Sequence, residues 1–266
     1  MTPADFDETA SDRRFEGADI PVSAHQGDDG SVDPVIAELL VGLAKGTVDH
    51  RSLQHALVGA RVLLPTAAFL DESAVSESTG LEHEKSSHLS AAVFRAKAGW
   101  NGLLVFTSVA SLNAWDTQAR PVPITADEAA IAALEEGCEV LVLDFEGPAR
   151  AVLAGSLLRA LAQSRKALPP AHDPVVIETI TAAGDAIDGL VRVDVHEIET
   201  VPELLVEHGD DASGESVPDA VVLLTPSEGA DAQALAAELA AVLSREPVLR
   251  DRLDGGLAFV LSLSDG

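Results

Sequence analysis

The chain has 266 residues, with 44 Asp and Glu against 17 Lys and Arg, and a formal charge of −27 at neutral pH. That charge argues against nucleic acid and anionic membrane surfaces as partners, because binding phosphates requires clustered Lys or Arg. Hydrophobic residues make up 47% of the sequence but aromatic residues only 3%, with no Tyr, so the core must come from Ala, Val, Leu and Ile, and stacking platforms for single strands are scarce.

Residues 1–32 are rich in Asp, Glu, Gly and Ser and lack periodicity, which predicts a disordered acidic tail. They contain no apolar core of a secretory signal, and no apolar run in the chain approaches a membrane span. The expectation is a cytoplasmic protein. Order is expected from Asp33-Pro34, an N-cap followed by a proline suited to the first helical position. Val35, Ile36, Leu39, Leu40 and Leu43 mark one helix face, with Gly46 as the stop, and a second short helix is expected over 52–59.

Residues 61–70 form an apolar run whose Pro65 predicts an edge strand or a strand end. The polar stretch 71–87 predicts a long exposed loop. Residues 88–98 and 103–107 read as strands around a turn at Trp100-Asn101-Gly102. Ser108 opens a short helix through Trp115, and Arg120-Pro-Val-Pro123 reads as a connection. Thr125 and Glu128 have capping-box spacing for a helix to Gly137. A strand at 139–144, a turn at Gly147-Pro148, a partner strand at 150–153 and a helix at 155–167 follow.

The stiff, polar PPAHDP run predicts a domain boundary. Beyond it lie a helix from Val175, a strand at 190–198, a short helix at 201–208 and an exposed loop. A strand at 220–225, a helix at 231–243, a turn at Asp254-Gly255-Gly256 and a strand at 257–263 complete the pattern. The phrases LLVFTS and VVLLTPSEG, each before a helix, hint at related halves. The fold class expected is α+β: two small domains, each a mixed or mostly antiparallel sheet covered by helices. The expected division is a tail at 1–32, a first domain at 33–168, a linker at 169–174 and a C-terminal α/β domain at 175–266.

The chemistry-bearing residues form no recognisable catalytic pattern. Cys138 is the only cysteine, so one chain offers no disulfide framework, and Glu135, Glu136 and Glu139 beside it disfavour a thiolate. His83 with His88 and His50 with His55 lack the i, i+4 helical spacing of paired metal ligands, so surface histidines are expected. His196 and Glu197 on one strand would point to opposite faces. No phosphate-cradling glycine loop and no Gly-x-Ser-x-Gly elbow occurs. No catalytic residue, metal or cofactor is expected. The binding candidates are Thr107 and Ser108 at a strand end, Trp115, which with Leu112 would close an apolar groove or plug the core, and Arg120, which flanks the turn in position to pair with Asp116. For Thr107 or Ser108 the competing reading is a helix cap.

Several of these segments together resemble the SseB family, specifically its N-terminal domain as found in actinobacterial proteins. The resemblance rests on Arg61-Val-Leu-Leu-Pro65, Leu104-Val-Phe-Thr-Ser108, Leu112, Trp115 and Arg120-Pro-Val-Pro123. It continues through Ala132-Ala-Leu-Glu-Glu-Gly137 to Leu141-Val-Leu-Asp144. It covers about Val35 to Pro170 and defines no catalytic residues to carry across. The family takes its name from a serine-sensitivity trait in enteric bacteria. Two functions compete: a non-enzymatic protein-binding or regulatory module, and a small-metabolite binder or enzyme linked to serine or sulfur metabolism, which rests on family association alone.

Overall fold

A computed structural model describes residues 28–66, 93–95, 99–198 and 217–262. The expected loop at 71–87 with His83, the start of the expected 88–98 strand with His88, and the expected helix at 201–208 lie outside the described residues.

Helix α1 (Pro34–Ala44) begins where expected, with the Asp33 carboxylate accepting the N–H groups of Val35 at 2.8 Å and Ile36 at 3.3 Å. Packing starts earlier than this cap, however. Arg61 donates to the Thr107 carbonyl at 2.7 Å, pairs with Asp28 at 2.8 Å and also reaches the Ser31 carbonyl. Helix α2 (His50–Leu57) starts two residues before the expected position because Asp49, not Ser52, is the N-cap. Its Asp49 carboxylate takes the Ser52 N–H at 2.8 Å.

The first half contains strands β1 (Arg61–Thr66), β2 (Val93–Arg95) and β3 (Asn101–Val105), then α3 (Val109–Trp115), β4 (Arg120–Thr125) and α4 (Ala126–Glu135). Strands β5 (Val140–Leu143) and β6 (Ala151–Ala154) and helix α5 (Gly155–Ala162) complete it. The order in the main sheet is β2-β3-β5-β6, with β3 and β5 parallel and the other pairs antiparallel. Arg120–Pro123, read from sequence as a connection, is instead part of β4. It pairs antiparallel with β1, with Pro65 opposite Pro121 and Leu63 opposite Pro123. Prolines are tolerated because this is a two-stranded ribbon, where missing donors break no central ladder. Leu63 also exchanges backbone hydrogen bonds of 2.7 and 2.9 Å with Phe106, which joins the ribbon to the end of β3.

Alternation along β3 and β5 builds two cores. Leu103, Val105, Leu141 and Leu143 pack with α1, α2, α4 and α5 on one face. Leu104, Val140, Val142 and Phe106 pack with Leu63, Leu112 and Trp115 on the other. Burial on both faces explains why these strands read as continuous apolar runs. The capping box at α4 is as expected: the Thr125 hydroxyl accepts the Glu128 N–H, and the Glu128 carboxylate accepts the Thr125 N–H.

Helix α5 ends at Ala162, five residues before its expected end. The buried Gln54 side chain takes the following segment, donating to the Arg165 carbonyl at 2.7 Å and accepting the Ala167 N–H at 3.0 Å. The prolines beyond form a 3-10 turn (Pro170–His172), with Pro170 and Ala171 buried.

The second half runs α6 (Pro174–Asp185), β7 (Leu190–His196), β8 (Ala220–Pro226), α7 (Ala232–Leu243), α8 (Pro247–Arg252) and β9 (Leu257–Leu261). Its sheet order is β7-β8-β9, the first pair antiparallel and the second parallel. Helix α8 has no counterpart among the expected elements, being six residues long and opened by Pro247. One cluster, from Val176 and Ile180 through Val222 and Leu224 to Leu239 and Leu249, fills the space between this sheet and its helices. Among the described residues no helix is long and apolar enough to cross a membrane. The molecule is α+β, with mixed and antiparallel sheets covered by helices.

Candidate functional site

Parallel strands with connecting helices open a crevice at their carboxyl ends, the usual ligand position in open sheets. Here β3 and β5 end side by side, and the residues that follow them, Thr107 and Asp144, meet. The Asp144 carboxylate accepts the Thr107 N–H at 2.9 Å and the Thr107 hydroxyl at 2.6 Å. Both residues are buried, and Asp144 adopts a left-handed φ of 50° that lets Gly147 donate back to its carbonyl at 2.7 Å. Low dielectric strengthens such a charge-assisted pair and makes it costly to break.

Ser108 is the N-cap of α3. Its hydroxyl accepts the Ser111 N–H at 3.0 Å, and the Ser111 hydroxyl reciprocates at the Ser108 N–H. The next N–H, of Val109, donates to the Gly30 carbonyl at 2.8 Å. The polar groups around this crevice therefore hold one another. Above them lies a groove of about 310 Å³ between α1, α3 and the 147–149 turn, with walls that include Val41, Ala110, Ala114 and Pro148.

Of the four binding candidates, Thr107 and Ser108 line this groove, and Trp115 and Arg120 lie outside its lining. Trp115 stacks on Phe106, with ring centroids 5.4 Å apart, beside the fully buried Leu112. Arg120 is exposed at the start of β4, and the Asp116 carboxylate accepts the Gln118 N–H at 2.8 Å. Asp144 was visible in the sequence only as a strand end. Its pairing with a threonine 37 positions earlier carries no local signal.

Cys138, His55 and Glu197 have structural surroundings. Cys138 is buried, and burial, followed by the Glu136 charge, pushes its thiol above the usual range. His55 Nε2 contacts the Ala167 carbonyl at 2.6 Å. Glu197 lies 3.5 Å from His172, a residue distant in sequence, rather than serving His196. Among the described residues no group of three or more His, Cys, Asp or Glu is placed to hold a metal.

The ordered set of strands, caps and groove falls within a stretch that matches a known family. Residues 36–160 match the family model of the SseB protein N-terminal domain, so this stretch of the chain is an SseB-type domain. No curated protein and no solved structure was found to match the chain.

Proposed function

We propose that this protein is a cytoplasmic, non-catalytic binding module whose 33–168 domain receives a segment of another protein in the groove between α1 and α3. The observation that supports this reading is the mutual satisfaction of Thr107 and Asp144 at the carboxyl ends of β3 and β5. Chemistry at this position needs polar groups free to meet a substrate, whereas these are committed to each other. Apart from this pair and the capping serines, a ligand entering the groove meets apolar side chains. Recognition there rests on shape and apolar burial, and the net charge of −27 favours a segment flanked by basic residues.

Ala110 and Ala114 are exposed on the groove wall, so arginine at either position obstructs the groove without entering the core. In the native host, tagged protein is expected to retain a stoichiometric protein partner that A114R loses, with an unchanged unfolding temperature. Thr107→Val should show the reverse, a lowered unfolding temperature with the partner kept. Undiminished partner recovery with both A110R and A114R would overturn the groove reading.

A further inference from the structure

A second cavity, of about 220 Å³, opens between the two halves of the molecule. Arg51 of α2, Arg165 after α5 and Arg252 at the end of α8 all line it, in a chain where acids outnumber Lys and Arg by 44 to 17. Four aspartates line it too, and each already accepts hydrogen bonds. Asp49 caps α2 through the Ser52 N–H at 2.8 Å. Asp173 accepts the Val175 N–H at 3.0 Å and pairs with Arg252. Asp219 accepts the N–H groups of Asp254, Gly255 and Gly256 at 2.8, 2.6 and 2.9 Å. Asp254 accepts the Ser156 N–H at 2.7 Å, the Ser156 hydroxyl at 2.6 Å and Arg159 at 2.8 Å.

The arginines differ. Arg51 Nε and one terminal nitrogen of Arg165 (Nη2) are buried without a hydrogen-bond partner among the described residues. Burial, followed by the nearby charge of Arg252, holds the Arg165 guanidinium below its usual range. The buried side-chain atoms left without a partner beside this cavity are therefore both cationic donors. Buried donors left unpaired are costly, and an anion that turns them inward recovers that cost.

We propose that this cavity binds a phosphate group, carried either by inorganic phosphate or by a small phosphate monoester, and that the bound group ties the two halves of the chain together. Arg51 and Arg165 come from separate elements and line the same cavity. A tetrahedral oxyanion with several acceptor oxygens accommodates both, whereas a planar carboxylate matches a single guanidinium fork. Gln54 fixes the geometry, because it sits on the same helix as Arg51 and holds the backbone at Arg165 and Ala167. The site is independent of the α1–α3 groove.

The test is equilibrium dialysis of the full chain against radiolabelled orthophosphate and, in a parallel arm, against glycerol phosphate, with sodium chloride matching ionic strength. The expected result is saturable binding at one site, with half-saturation at about 1 mM or below. R51Q and R165Q should each weaken it at least about tenfold, the loss expected for one charge-assisted hydrogen bond. Arg245→Gln, at an exposed position outside the cavity, controls for the same loss of charge and should bind as the parent does. Tighter binding of orthophosphate assigns the site to the free ion, and tighter binding of the ester assigns it to a metabolite. If R165Q fails to fold, R51Q decides. No saturation of either probe below about 10 mM, or binding unchanged in R51Q, would overturn the proposal.

Discussion

In the first half β3 runs antiparallel to β2 and parallel to β5, and in the second half β8 runs antiparallel to β7 and parallel to β9. The two sheets share this three-strand plan but differ in how they are covered. All four residues of β5 are buried, because separate clusters pack on its two faces. Four of the five residues in β9 are half-buried and the fifth is exposed, and one cluster serves that sheet. Similar strand pairing thus leaves very different amounts of apolar surface in water.

A second pair of features repeats the contrast at the level of hydrogen bonds. Asp144 accepts both the N–H and the hydroxyl of Thr107, and Asp254 accepts both the N–H and the hydroxyl of Ser156. Asp144 is 5% exposed, whereas the Asp254 side chain is 46% exposed and stands where the halves meet. Gly155 makes that meeting possible, since a Cβ there would come within 2.4 Å of the Asp254 carboxylate. Water can replace the partners of Asp254 but not those of Asp144.

The largest expected effect separates the two sheets. Leu141→Ala on β5 should cost about 3–4 kcal/mol in urea unfolding, because it opens a cavity in a strand with no exposed face. Leu257→Ala on half-buried β9 should cost about 1 kcal/mol, since less apolar area is lost. Equal losses would remove the distinction. Next comes the hydrogen-bond pair. Asp144→Ala should cost about 2–3 kcal/mol by leaving the Thr107 donors unpaired, and Asp254→Ala about 1 kcal/mol or less. A larger loss at Asp254 would mean that the contact between the halves governs stability more than the strand ends do.

The smallest effect concerns the α2 cap. Hydrogen bonds from Ser52 hold the Asp49 carboxyl below its usual range. A depressed folded pKa adds stability that is present above the unfolded value of about 3.9 and is lost as pH falls through the folded value. Asp49→Ala should cost about 1 kcal/mol at neutral pH. The gap between parent and variant should close as pH falls below about 4, and a gap independent of pH would show that the cap's charge contributes nothing.

Local signals explain which parts of this architecture were legible in the sequence. Asp33-Pro34 and Thr125 with Glu128 announced their helices because a cap and its target lie within a few residues. The apolar run at β5 announced a strand, though not its burial on both faces. Strand β4 did not, because Pro121 and Pro123 read as a connection and its partner β1 lies about 60 residues earlier. The early end of α5 depends on Gln54, more than 100 residues away. The groove was half legible: Thr107 and Ser108 were singled out, but Asp144 and the walls of α1 become neighbours only through the parallel pairing of β3 and β5.

The binding reading is tested most directly by photo-crosslinking in the native host, with benzoylphenylalanine placed either at position 114 on the groove wall or at position 191 on β7. Both are exposed, Val191 at 68%, and they lie in different halves. The expected result is a discrete adduct of one mass from position 114 and none from position 191. No adduct at 114, or the same adducts from both positions, would contradict a binding groove between α1 and α3.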